Sequence, residues 1–318
     1  MTPSTPLPMV SICMAAYNSE KYIDEAIGSV LAQTYQNIEL VIVNDGSVDR
    51  TAEVLKKYES HPKIRIIHSA NSGQCAASNL AVKHSTGAFI KFFDADDILN
   101  DTHIESQVSR LFECPDCIAA GQVKRFYNDD MSTALHEPLA TWQDLDPVDW
   151  LVIDDGKGLG MMGAWLFLIP RHILDRSGLW NEDLSLINDF EFSPRFILQS
   201  KKVLFVEDAK IYYRSGMPGS LSNSNSREKL LSAFTALETT EALLLKHERS
   251  ERVKAALSQM WHLWVPSFYL DEMDLYRKSK KHLKDLGDYP DKYFERAGGT
   301  FMKIFGWKIH KRIKRILG

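Results

Sequence analysis

The chain has 318 residues, 44% of them hydrophobic, and a formal net charge of -4, enough for one large α/β domain with an appendage or for two smaller domains, and not a disordered polymer. The charge is uneven: Lys303, Lys308, Lys311, Arg312, Lys314 and Arg315 follow Glu295 with no acid after it, so the body is acidic and the tail basic, which argues against a nucleic-acid-binding body. The N-terminal apolar run 9–16 has no basic flank or cleavage site, and the run 161–170 is far below the roughly 20 residues that span a bilayer, so no segment is expected to cross a membrane.

Residues 10–14 read as a buried strand. Asn18 or Ser19 can cap a helix running to about Gln33, with Tyr22, Ile23, Ala26, Ile27, Val30 and Leu31 as its apolar stripe. A second strand is expected at 38–43, then an Asp45-Gly46-Ser47 turn and a helix over 48–58 with Asp49 in its first turn, where the dipole favours an acid. A third strand at 64–68, a helix at 74–84 and a fourth strand at 88–93 continue an alternation typical of a parallel sheet with helices on its faces.

Beyond Asn100 the pattern loosens into a helix to about Glu113, a strand at 118–126 and an acidic loop region to Pro147. Four cysteines, Cys13, Cys75, Cys114 and Cys117, are too few for a disulfide framework and make a reducing cytoplasm the simpler context. Cys114-Pro-Asp-Cys117 has no second Cys or His pair at zinc-ribbon distance and reads as two ordinary buried thiols. The glycine-rich stretch 156–163 lacks the Lys-Ser/Thr of a phosphate loop and reads as a flexible approach to a strand at 164–169. From Ser226 onward the pattern is helical, broken by Pro266.

Parallel sheets of this kind bind ligands at the carboxyl ends of their strands. The polar residues at those ends are Tyr17 and Asn18, Asp45, Asn71 and Gly73, and the run Asp94, Asp96 and Asp97. Closely spaced carboxylates repel unless a cation is bound among them, and Mg²⁺ or Mn²⁺ fits an all-oxygen ligand set completed by phosphate and water.

The segments 10–18, 38–51, Asn71-Ser-Gly-Gln-Cys-Ala-Ala-Ser-Asn79 and 93–97 together resemble family 2 glycosyltransferases of the GT-A fold, strongly over the first hundred residues and moderately over 178–222. The resemblance implies an α/β fold with a mixed, mainly parallel sheet flanked by helices. It divides the chain into a nucleotide-sugar-binding and catalytic domain (1–225), a helical region (226–297) and a basic amphipathic tail helix (298–318). It implies an inverting, non-processive transfer of one sugar from a nucleotide-sugar, UDP-linked by expectation, to a carbohydrate or lipid-linked acceptor in cell-surface polysaccharide biosynthesis. Ala16, Tyr17 and Asn18 would border the base and Asp45 would accept from uracil. Asn71, Gly73 and Asn79 would contact nucleotide and sugar, Asp94 the ribose or sugar, and Asp96 the metal. Gly178-Leu-Trp-Asn-Glu182, Asn188-Asp-Phe-Glu-Phe192 and Arg195 resemble the segment whose second acid is the base, here Asp189, preceded by Asn188 where the family usually has Glu. Tyr212-Tyr-Arg214 followed by Gly219-Ser-Leu-Ser222 resembles the mobile segment that closes over the diphosphate. No histidine lies between His172 and His247 to complete a metal site, so Arg214 is expected to neutralise phosphate.

Each of these polar residues also has a structural use, Asp45 as a turn former and Asp189 as a helix cap among them. Trp142, Trp165 and Trp180 suit either sugar stacking or the core. A sugar-nucleotide pyrophosphorylase would need glycine and basic residues after the first strand, where 14–19 has neither; a non-catalytic nucleotide-sugar binder stays open. In the tail, Phe301, Met302, Phe305, Ile309, Ile313 and Ile316 recur at helical spacing with Lys308, Lys311, Arg312 and Arg315 on the other side. That pattern suits a peripheral position on the anionic inner face of a membrane, or docking on the acidic body or a second subunit.

Overall fold

The computed structural model describes residues 7–135, 138–153, 162–216, 226–292 and 307–317. Its strands are β1 (Val10–Ala16), β2 (Ile38–Asp45), β3 (Ile64–Ser69), β4 (Phe89–Asp94), β5 (Ile98–Leu99), β6 (Ile118–Tyr127), β7 (Asp130–Leu135), β8 (Phe167–Pro170) and β9 (Val203–Ser215). They form one sheet in the order β3-β2-β1-β4-β8-β6-β9-β5, with β7 paired to β6. The first four run parallel, β8 runs antiparallel to both β4 and β6, and β9 lies parallel to β6.

The parallel half is apolar along its strands because both faces are covered: Val10, Ile12, Met14, Val41, Ile42 and Val43 are fully buried. Helix Ile23–Leu31 buries Ile23, Ala26, Ile27 and Val30, and helix Gln74–Lys83 lies against β1 and β2, burying Ala77 and Ala81. Full burial of each larger aliphatic side chain stabilises by roughly 1.5–3 kcal/mol. The register sets Ala15 opposite Asp94, Ala16 opposite Asn44 and Asp45 opposite Ser69, so the carboxyl ends finish nearly flush.

Several local expectations are corrected. Neither Asn18 nor Ser19 caps the first helix, which begins at Ile23. Asn18 is left-handed (φ 50°), receives the Val48 N–H at 2.9 Å and donates its own N–H to Ser47, while the Ser19 N–H goes to Thr51. These bonds stitch the loop after β1 to the loop after β2. For the same reason the second helix starts at Thr51, whose N–H is taken by Asp49 at 2.9 Å, and ends in a 3₁₀ turn, Lys56–Tyr58. The strand expected at 164–169 opens as a 3₁₀ turn, Ala164–Leu166, where the fully buried Lys91 Nζ donates to the Trp165 carbonyl at 2.6 Å. Cys114 and Cys117 are not separate thiols: a turn closed by Cys117 N–H to the Cys114 carbonyl brings their Cα atoms to 5.3 Å, joined by a disulfide. The stretch 156–161 lies outside the described residues.

In the C-terminal part, helix Arg227–His247 is capped by Ser226 and helix Glu251–Phe268 by Ser250; the latter runs through Pro266 instead of breaking there. Helix Met273–Leu286 follows, with His282 stacked on Trp261. The tail helix Trp307–Leu317 docks on the protein's own body through its basic side. Lys311 donates to the Pro266 carbonyl and to Asp271, Arg312 to the Tyr269 hydroxyl and Arg315 to the Leu270 carbonyl. Ile309 and Ile313 remain 43% and 38% exposed; Phe301, Met302 and Phe305 lie outside the described residues.

Asn79, expected at the donor, is committed elsewhere. It is 3% exposed, accepts the Trp180 N–H at 2.9 Å and donates to the Trp180 carbonyl and to Glu182, clamping the 178–182 loop to helix Gln74–Lys83. Asn79→Ala strands a buried N–H and a buried C=O, each worth about 1–3 kcal/mol, so urea unfolding should show a loss of roughly 2–4 kcal/mol. Nucleotide affinity of the folded variant should match the unmutated protein.

Candidate active site

Asp94 ends β4 and Asp189 opens the helix Asn188–Gln199, far apart in sequence, yet both line one narrow pocket with Cys13, Ala15, Gln74, Ser78, Phe92, Phe93, Ala164, Trp165 and Trp180. The residue before the Asn188–Asp189 step, Ile187, holds φ 51° and ψ 34°, a left-handed conformation that costs a β-branched residue about 1–2 kcal/mol. Asp189 Oδ1 accepts the Ala164 N–H at 2.9 Å, which orients the carboxylate. Burial nevertheless dominates and pushes its pKa up to about 6.

The acidic run after β4 is under greater stress. Burial, then the charges of Asp96 and Asp189, raises the Asp94 carboxyl well above the usual carboxylate range, against a weak 3.4 Å bond from Gln74. Burial also raises Asp96, and burial with the charges of Asp96 and Asp94 raises Asp97 further. Asp97 Oδ1 accepts the Arg214 N–H at 2.9 Å, while its buried Oδ2 has no hydrogen-bond partner among the described residues. No group of three or more potential metal ligands gathers among the described residues; crowded carboxylates short of positive charge suit a hard divalent cation, and Asp96, with Asp94 beside it, is the residue that would hold one, its shell completed by phosphate and water.

The other expected residues fall at the same sheet edge in different states. Ala16 is buried at the end of β1, whereas Tyr17 is half exposed and Asn18 exposed. Asp45 is 3% exposed: its Oδ1 accepts the Ser72 N–H at 2.8 Å and its Oδ2 the Gly73 N–H at 2.9 Å, which folds the 69–73 loop back over β2. Gly46 is left-handed (φ 65°), and a Cβ there would stand 2.6 Å from the Asn71 nitrogen, so the turn can pass the loop only as glycine. Asn71 and Gly73 are exposed at this edge.

Arg214 is placed differently from the expectation. It belongs to β9 and is 6% exposed, with its guanidinium bonded to the Asp96 carbonyl, Asp129 and Glu25. The segment 219–222 lies outside the described residues. Arg195 is likewise structural: it donates to the Ser177 and Leu179 carbonyls at 2.8 and 2.7 Å and pairs with Glu191. Two polar pocket residues, Gln74 and Ser78, were not singled out individually by sequence, and Tyr213 lies just outside the pocket lining. Gln74 and Ser78 sit at i and i+4 on the helix that follows Gly73, a spacing that was readable. Tyr213 stacks on Trp165 at 5.1 Å, and burial with the charges of Asp94 and Asp97 pushes its phenol up. Trp142 stacks instead on Phe205, away from the pocket.

The sequence profile of the family described as "Glycosyl transferase family 2" matches residues 11–166. Glycosyltransferase GlyG of Streptococcus pneumoniae serotype 4 is 30% identical over 65% of this chain and 70% of its own length. The uncharacterized glycosyltransferase EpsJ of Bacillus subtilis is 28% identical over 68% of this chain, which spans 63% of EpsJ. The crystal structure of S. aureus TarS 1-349 in complex with UDP-GlcNAc superposes with a TM-score of 0.63 at 18% identity, covering 87% of this chain and 92% of that one. That likeness carries the fold: a GT-A type mixed, mostly parallel sheet flanked by helices. No helix among the described residues is long and apolar enough to cross a membrane. With a relative at this identity over most of its length and the profile match across β1 to the start of β8, the chain belongs to glycosyl transferase family 2 and is a glycosyltransferase.

Proposed function

We propose that this enzyme transfers a single sugar from a UDP-sugar to an acceptor hydroxyl with inversion, using Asp189 as the general base. One observation carries the reading: Asp94 and Asp189, far apart in the chain, line a single pocket, and Asp189 is tuned toward neutrality by burial. A base poised near working pH takes the acceptor proton as the hydroxyl attacks the anomeric carbon. Tyr17, Asn18 and Asp45 form the base-binding edge. Among the described residues Asp45 Oδ2 accepts one hydrogen bond, from the Gly73 N–H, and keeps a lone pair for a base N–H. Asn71 and Gly73 border the nucleotide, and Asp94 with Gln74 and Ser78 faces the sugar between Trp165 and Trp180. Mg²⁺ or Mn²⁺ held by Asp94 and Asp96 supplies positive charge for the departing diphosphate. The UDP-GlcNAc in the TarS complex supports a UDP-linked donor. The acceptor is a carbohydrate or lipid-linked hydroxyl, in keeping with a role in cell-surface polysaccharide assembly at the cytoplasmic face. The exposed Ile309 and Ile313, one turn apart beside Lys308 and Arg312, suit contact with an anionic membrane surface.

Calorimetric titration with UDP should show Mn²⁺-dependent binding that Asp96→Ala removes; equal affinity with and without Mn²⁺ would sink the metal assignment. Asp189→Asn should lower kcat for UDP release from the best of a UDP-sugar panel by about 10²–10⁴-fold while donor affinity holds. Because only the ionised base works and its pKa is about 6, kcat/KM should rise with pH through about 6 and level off above it. The full chain should sediment with phosphatidylglycerol vesicles more than with phosphatidylcholine vesicles, and Ile309→Glu with Ile313→Glu should abolish the difference.

A further inference from the structure

Arg214 sits one strand from the acidic run, and every direction from its guanidinium is already occupied by the protein. Its side chain is 3% exposed, and its flat faces are covered by Tyr22 at 4.2 Å and Phe126 at 4.7 Å. Nε donates to the Asp96 carbonyl at 2.8 Å, Nη2 to Glu25 at 2.7 Å and Nη1 to Asp129. The antiparallel pairing of Ile98 with Tyr212 brings the two chains into line, so that the Arg214 backbone N–H also meets Asp97 Oδ1. An anion would have to displace one of these acceptors to reach the group.

We propose that Arg214 is a positioning residue for the Asp94–Asp97 loop and not a donor contact: it ties the loop to helix Ile23–Leu31 through Glu25 and to the β6–β7 turn through Asp129, holding the Asp96 carboxylate where a divalent cation and diphosphate meet it. This rests on the nucleotide-sugar reading above. The chemistry favours a tether. The Asp96 main-chain carbonyl is the bonded atom, so the side-chain carboxylate stays free for a ligand. Asn128 and Asp129 both hold positive φ (55° and 60°), as a two-residue hairpin turn requires, which makes the far anchor stiff. The Tyr22 hydroxyl donates to Asp129 at 3.2 Å and closes the ring of contacts. Lysine cannot reproduce the arrangement, because one ammonium lacks the planar fork that reaches a carbonyl and two carboxylates in different directions.

The test compares Arg214→Lys with the double variant Glu25→Gln, Asp129→Asn, in the full chain. Amide hydrogen exchange without ligand should quicken at 94–98 in both, with Tm kept within a few degrees. Residues that orient a metal ligand typically govern 10- to 100-fold of metal affinity, so both variants should lose roughly 10- to 100-fold of the Mn²⁺-dependent part of UDP binding and keep uridine binding unchanged. If Arg214 touches phosphate, Arg214→Lys will weaken UDP binding with and without Mn²⁺, the double variant will bind as the unmutated protein does, and exchange at 94–98 will not move; that pattern overturns the proposal. Failure of the unmutated protein to bind uridine or UDP would instead remove the nucleotide-sugar reading, and the exchange data would still decide whether the tether exists.

Discussion

Negative charge crowded at the carboxyl end of β4 is the condition that the surrounding structure has to contain. Asp94, Asp96 and Asp97 lie within four residues, and Asp189 adds a fourth carboxyl to the same region. Repulsion of this kind unfolds a loop unless neighbouring elements restrain it. The restraint comes from the sheet: β5 pairs with β9 immediately after the acidic run, and Arg214 at the end of β9 gives its buried guanidinium to the Asp96 carbonyl and its backbone N–H to Asp97. The incomplete compensation that is left is the deficit that the proposed divalent cation would fill.

The parallel half was legible because its forces are local. Apolar runs bounded by turn residues mark β1 to β4, and the polar residues after them are delivered to one edge by right-handed connections. What was not legible depends on partners distant in sequence. Asn79 reads as a polar residue on a helix near the donor, and only the Trp180 backbone, 101 residues on, shows it to be a clamp. Arg214 next to two tyrosines resembles a phosphate contact, yet its acceptors lie 85 and 189 residues away. Strand β9 was not among the expected strands; the exposed Glu207 and Asp208 in its middle interrupt its apolar pattern. Asn18 failed as a predicted helix cap because its side chain is used to join two loops, a tertiary role that no window along the chain reveals.

Asp189 is mounted differently from the nucleotide edge. The family profile stops at residue 166, before it. Its helix and the loop ahead of it are gripped from the C-terminal side, where the Ser232 hydroxyl accepts the Ser185 and Leu186 N–H groups at 2.8 and 3.1 Å and Thr240 donates to the Phe190 carbonyl. Both residues belong to helix Arg227–His247, which packs against Asn188–Gln199.

That attachment separates two kinds of heritable change. Substitutions on the outer helices can tilt the carboxylate by fractions of an ångström through three hydrogen bonds, without disturbing the strand ends where the nucleotide edge is built. On the proposed role of Asp189, changes in the outer helices would retune which hydroxyl is presented to the carboxylate while the donor edge stands still, and the reverse route, through β1 to β4, has no such slack because those strands are packed on both faces.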